Sequence, residues 1–201
     1  MLDVDSKPLF FFHDTNVLIN FSLCNEMDCL KEILQGKGTW TATVQRECDG
    51  RGPSNYGISG LGYAAELVLG EPVFPSDDEH VQIRRLRWEM AFAEALDVDV
   101  AEQNMKNGDD KHLGEAETIT IIQRRMLKAI FVTDDFRARP FAEGIKCIDT
   151  WSLVSVGLRL EILNEERVRA MRERLMSLNR ISRNHRREIF DAVKFEEWLA
   201  G

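Results

Sequence analysis

Much that would place this chain at a glance is missing from it. No uncharged apolar run reaches the length of a membrane-spanning helix, so no span is expected. The start, Met1-Leu2-Asp3-Val4-Asp5, is acidic where a secretory leader would be basic, and the expected compartment is the cytoplasm. The four cysteines, Cys24, Cys29, Cys48 and Cys147, form no C-x-x-C pair and have no histidine at zinc-like spacing. Reduced, mostly buried thiols are therefore expected, not a structural zinc. The spacing G-x-x-x-x-G-K-[ST] does not occur, which removes the usual nucleotide-cradling loop. Positive charge is short as well. With a net charge of -8, any affinity for nucleic acid has to come from local clusters, not from the field of the whole molecule. No internal repeat stands out.

What is present begins with Phe10-Phe11-Phe12-His13-Asp14-Thr15-Asn16. An unbroken aromatic run reads as a strand buried on both faces, and Asp14, Thr15 and Asn16 are helix-capping types ahead of the apolar Val17-Leu18-Ile19. The strand therefore ends in a carboxylate. Ligands of open α/β sheets bind beyond the carboxyl ends of the strands, so this acid is aimed at the usual place of chemistry. Ala129-Ile130-Phe131-Val132-Thr133 repeats the layout and ends in Asp134-Asp135.

Between the two, apolar spacing from Val17 to Leu34 gives a helix with a break near Asn25. Thr39 to Val44 has strand composition and leads into a helix from Val44 that contains Glu47, with Thr41 or Thr43 as its cap. Residues 48–62 are rich in Gly, Ser, Asn and Pro and read as an exposed loop, followed by a short helix from Tyr63 to Leu69. Ser76 and Glu79 form a capping box that opens a long helix over 77–96, bearing Arg84, Arg85 and Arg87. Asp109 or Asp110 caps a helix from Leu113 to Met126 whose first turn holds Glu115 and Glu117. Helical spacing assigns Trp88, Phe92 and Met126 to the core.

Strands alternating with helices predict an α/β fold: a single domain over residues 1–150 with a central parallel sheet and helices on both faces, then a helical C-terminal extension over 151–201. The extension is locally basic, with nine arginines against five acids from Arg159 to Glu188. Such a run reads either as a partner or phosphate surface or as solvated helix faces.

The order of elements delivers Asp14, Glu47, Glu115 and Asp134/Asp135 to one sheet edge. Carboxylates gathered there repel one another, and their pKa values rise unless a cation neutralises them. Oxygen ligands without histidine or thiolate select Mg²⁺ or Mn²⁺ over zinc, and phosphodiester hydrolysis is the natural use of such a centre.

Four stretches, Asp14-Thr15-Asn16-Val17-Leu18-Ile19, Thr43-x-x-x-Glu47, Gly114-Glu115-Ala116-Glu117 and Val132-Thr133-Asp134-Asp135, together resemble the motifs of the PIN-domain nucleases in their order. The likeness is to the toxin-like, VapC-related branch in particular, and it covers roughly residues 9 to 150. It implies an endoribonuclease dependent on Mg²⁺ or Mn²⁺, with RNA as substrate, often a homodimer, and in many members held inactive by an antitoxin protein. Carried over, the metal-binding acids are Asp14, Glu47, Glu115 and Asp135, while Asn16 and Thr133 match supporting polar positions. Three features depart from the toxin pattern: the long span from Glu47 to Glu115, a glutamate at the third acid, Glu115, where many relatives have aspartate, and the tail beyond Thr150.

Each residue also has a plainer reading. Asp14 is a helix cap by type, and acids in a first helical turn are favoured by the helix dipole whatever else they do. Glu115 and Glu117 lie two residues apart and do not share a helix face, so Glu115 is the expected ligand and Glu117 a polar neighbour. Of the adjacent pair, Asp135 is expected to face the metal and Asp134 to cap the next turn. His13 is expected to pack. Arg137 and Arg139 are candidate phosphate contacts, with surface ion pairing as the equal alternative. Three rival functions stand beside the ribonuclease. One is a PIN-like interaction or RNA-binding module without catalysis, and another is a DNA nuclease. The third is a phosphatase with Asp14 as nucleophile, which needs an acid where Asn16 stands.

Overall fold

The computed structural model describes residues 9–95, 98–106, 111–183 and 186–200. Four parallel strands, β1 (Phe10–His13), β2 (Gly38–Thr39), β3 (Ala129–Val132) and β4 (Lys146–Ile148), form one sheet in the order β2-β1-β3-β4. β1 and β3 pair from Phe10 opposite Ala129 to His13 opposite Val132, and the Asp14 amide continues the ladder to the Val132 carbonyl at 3.0 Å. The chain runs from β1 to β2 on one side and returns to β3 on the other. The carboxyl ends of β1 and β3 thus flank the switch point where α/β sheets bind ligands.

Period-two alternation sends the strand side chains into two cores. Phe12 and Phe131 pack with Ile83 and Met90 of α6 (Asp77–Ala95) and with Ile119 and Ile122 of α8 (Leu113–Arg124). Phe11, Ile130, Val132 and Ile148 face the other core. That core takes Val17 from α1 (Thr15–Leu23), Leu30 from α2 (Met27–Leu34), Val44 from α3 (Ala42–Asp49) and Ala65 from α5 (Leu61–Leu69). Helices therefore cover both faces, and the α/β architecture expected from the sequence is the one observed. Large apolar side chains buried this way contribute about 1.5–3 kcal/mol each.

The C-terminal helices belong to the same core. α9 (Thr150–Arg159) supplies Trp151 and Val154, α10 (Glu165–Ser177) supplies Val168 and Met171, the short α11 (Arg187–Phe190) supplies Ile189, and α12 (Ala192–Leu199) supplies Phe195. Trp151 meets Phe195 and Trp198 edge to face. Much of the basic run serves this packing. Arg167 pairs with Glu26, Arg169 with Glu165 and Glu196, and Arg186 with Asp149, while Arg172 donates to the Ile189 and Phe190 carbonyls at 2.6 and 2.8 Å.

Several local expectations change. The break expected near Asn25 is present, with Asn25 at φ 61° between α1 and α2, while other stretches differ from their expectation. The strand expected over Thr39–Val44 shortens to two residues, because Val73 takes the backbone groups that follow. Ala42 donates to the Val73 carbonyl at 3.0 Å and Val73 to the Trp40 carbonyl at 2.8 Å, and α3 begins at once. Within 48–62 the chain forms the short helix α4 (Arg51–Ser54) and then turns, and a further helix, α7 (Val98–Lys106), follows α6. The capping box is formed: Ser76 N–H donates to Glu79 Oε2 at 2.7 Å and Glu79 N–H to Ser76 Oγ at 3.4 Å. The cap of α8 is His112, in the left-handed region at φ 64°, and the caps expected at Asp109 or Asp110 lie outside the described residues. Trp88 and Phe92 are not core: they stack on each other at 5.4 Å, each 37% exposed. Met126 lies beyond the end of α8, 75% exposed. Among the described residues no helix is long and apolar enough to cross a membrane.

Candidate metal centre

Asp14 caps α1. Its Oδ1 accepts the Thr15 N–H at 2.8 Å, and its Oδ2 faces the Thr133 hydroxyl at 3.3 Å and the Asn16 amide at 3.5 Å. The residue is 3% exposed. Burial above all, then the charges of Glu115, Glu47 and Asp134, pushes its carboxyl well above the usual range.

Glu47 reaches the same edge from α3, where its carboxylate accepts a hydrogen bond from the Thr15 hydroxyl. Its two oxygens lie against Gly114 at the start of α8: a Cβ built on Gly114 would stand 3.0 and 3.2 Å from them. The next residue is Glu115. Burial first, then Glu47 and Asp135, lifts its carboxyl to about 7.

Asp135 follows β3 by way of a tight turn. Its N–H donates to Thr133 Oγ1 at 3.0 Å, and its Oδ1 accepts the Arg137 N–H at 2.8 Å. Donor atoms of Asp135, Glu115 and His112 lie within 4.8 Å of one another, a separation that one metal ion spans.

The structure thus brings Asp14, Glu47, Glu115 and Asp135 to one edge, and it sets other expected residues to different tasks. Glu117 turns to α3: its Oε1 accepts Thr43 N–H at 2.9 Å and its Oε2 the Thr43 hydroxyl at 2.7 Å, which caps the helix carrying Glu47. Asp134 turns to α9 and α1, accepting from Thr150 N at 2.9 Å, Thr150 Oγ1 at 2.5 Å and Asn20 Nδ2 at 2.7 Å. Burial raises its carboxyl, and the Thr150 bonds oppose the rise. The Arg137 guanidinium pairs with Glu94. Arg139 lies over the Phe136 ring, 4.0 Å from its centroid, and 4.0 Å from Asp149. His13 is buried with Nδ1 on the Phe11 carbonyl at 2.9 Å, and burial lowers its pKa to about 4, so it is neutral.

Two residues of the site escape a reading of the sequence. The first is His112, held by Glu94 Oε2 at 2.9 Å from its Nε2, so the donor set is not oxygen alone. A signal for it exists: His112 and Glu115 are three residues apart, the spacing of one helix face. The second is Arg180, from the extension, whose Nε donates to Asn20 Oδ1 at 2.8 Å. Its Nη2 donates to both the carbonyl and Oδ1 of Asn16, each at 3.1 Å. No motif spacing connects residues 16 and 180.

The donor set fits a divalent ion. Buried carboxyls that raise one another's pKa are costly when ionised together, and a cation removes that cost. Carboxylates with one imidazole suit Mn²⁺ and other first-row divalent ions as well as Mg²⁺. Comparison of the chain with protein-family models, with curated proteins and with solved structures finds no match in any of the three.

Proposed function

We propose that this protein is a divalent-metal-dependent endoribonuclease of PIN type, with Asp14, Glu47, Glu115 and Asp135 holding the ion or ions. One observation carries the reading: the carboxylates of Asp14 at the cap of α1, Glu47 of α3 and Glu115 of α8 converge beside the carboxyl ends of β1 and β3, close enough that the charge of Glu47 raises the pKa of the other two. When bound, Mg²⁺ or Mn²⁺ supplies Lewis-acid activation of water and charge stabilisation at phosphate. The protein's own part is positional. Thr15 orients Glu47, Thr133 orients Asp14 and the Asp135 backbone, and Glu117 fixes the start of α3. His112 adds a nitrogen donor, which favours Mn²⁺ over Mg²⁺. RNA as substrate, a homodimer and an antitoxin partner belong to the same proposal through the four-motif resemblance, and a cytoplasmic setting through the four free cysteines.

The test is cleavage of RNA and of DNA with Mn²⁺, with Mg²⁺ and with excess EDTA, in the wild type and in Asp14→Asn. Asparagine caps a helix as well as aspartate does, so the variant keeps the fold. Metal-dependent RNA cleavage lost in Asp14→Asn supports the reading. Cleavage that survives EDTA or the substitution overturns it. Mn²⁺ binding in calorimetry without any cleavage would instead assign an interaction module.

A further inference from the structure

α10 ends in a closure that fixes its next side chain. Asn179, left-handed at φ 53°, donates its N–H to the Met176 carbonyl at 3.0 Å, and Arg180 donates its own to the Leu175 carbonyl at 2.8 Å. This paired pattern rigidly terminates a helix, and the buried Ile181 anchors the far side. The Arg180 guanidinium then joins two segments, binding Asn16 and Asn20 of α1 and Tyr56 of the turn after α4, whose hydroxyl accepts from Nη1 at 3.1 Å. All these acceptors are uncharged. Among the described residues Arg180 forms no ion pair, unlike Arg167, Arg169 and Arg186 of the same run.

That guanidinium lines a cavity of about 300 Å³ with Asn16, Asn20, Tyr56, Asp134 and Asp135. Asp135 also belongs to the group with His112 and Glu115, so the cavity adjoins the candidate metal centre directly. Tyr56 is 37% exposed, with Arg180 5.0 Å from its ring centroid. A cationic fork beside an aromatic ring is the pairing that holds one nucleotide of a single strand: phosphate on the guanidinium, base on the ring.

We infer that this cavity is a substrate subsite, in which Arg180 binds the phosphate and Tyr56 the base of a nucleotide flanking the scissile bond of single-stranded RNA. The inference rests on the nuclease reading above. The C-terminal extension then completes the substrate cleft as well as the core, and an acidic protein gains its local positive contact for RNA from residue 180.

The experiment measures binding of a single-stranded RNA oligonucleotide in Mn²⁺ across a salt series, with Asp14→Asn as the cleavage-inert background. Arg180→Gln is expected to flatten the dependence of log K on log salt by roughly 0.7, the effect of one lost phosphate contact on a single strand, while Arg180→Lys keeps the slope. Tyr56→Ala, on an exposed turn, is expected to weaken binding about tenfold with the slope unchanged. An unchanged slope in a folded Arg180→Gln overturns the subsite, and so does unchanged affinity in Tyr56→Ala, which serves as the second variant should Arg180→Gln fail to fold. Wild-type protein that leaves RNA intact with Mn²⁺ overturns the nuclease reading and the subsite with it. Cleaving wild type with indifferent Arg180 and Tyr56 variants overturns the subsite alone.

Discussion

Gly114 and Glu47 face each other across the start of α8, with room for a hydrogen at residue 114 and little for a methyl. The closest approaches that a Cβ at residue 114 would make, 3.0 and 3.2 Å, are both to the Glu47 carboxylate oxygens. Gly114→Ala is therefore expected to displace that carboxylate by a few tenths of an ångström. Under the proposed nuclease function, misplacement on this scale is expected to lower metal-dependent cleavage by roughly tenfold. Alanine is the better helix former by up to about 1 kcal/mol, so thermal stability should hold or rise while activity falls. Thermal melting beside a cleavage assay reads both, and unchanged cleavage would mean that Glu47 moves aside freely.

Glu117 is expected to act on stability before chemistry. Glu117→Ala removes the cap of α3 and strands the Thr43 N–H and hydroxyl inside the protein, a loss of about 2–3 kcal/mol. Urea unfolding measures it. Mn²⁺ affinity of the folded variant should fall far less than that of Asp14→Asn, and an equal fall would make Glu117 a ligand.

His112→Asn separates the imidazole from its backbone conformation, since asparagine tolerates the left-handed region that His112 occupies. Mn²⁺ affinity in calorimetry is expected to drop about tenfold or more. Unaltered affinity would leave the ion to the carboxylates alone.

The raised Glu115 carboxyl sets an unusual pH trend. Its folded pKa of about 7 lies above the unfolded value near 4.5, so the folded state binds the extra proton between the two. Its contribution to stability is complete below pH ~4.5 and is lost as pH rises through about 7. Asp14 shifts in the same direction. In EDTA the melting temperature should therefore fall from pH 5.5 to pH 8. With Mn²⁺ the ion competes with the proton, binds more tightly at higher pH, and should flatten or invert that fall. A metal-free melting temperature that climbs over this range would contradict the mutual repulsion of these acids.

How much of this is legible in the sequence follows from what each residue needs. β1 and β3 are readable because a strand covered on both faces must be apolar throughout, and the acids directly after Phe12-His13 and Val132-Thr133 inherit their places from those strands. The capping box at Ser76 is equally local. β2 is not readable: threonine-rich composition marks a strand, but the length of that strand depends on Val73, which comes from a distant segment. Asp134 and Asp135 divide their roles through Thr150 and Asn20, partners outside any motif. Arg180 is farther still from local reading, since only the packing of α10 on α1 brings it to Asn16.

The rings of Trp151, Phe195 and Trp198 have a consequence during synthesis. Phe195 and Trp198 are translated after the strands and after Trp151, and until they emerge the Trp151 ring lacks both of its edge-to-face neighbours. A nascent chain, or one cut short before α12, is therefore expected to leave Trp151 open to solvent.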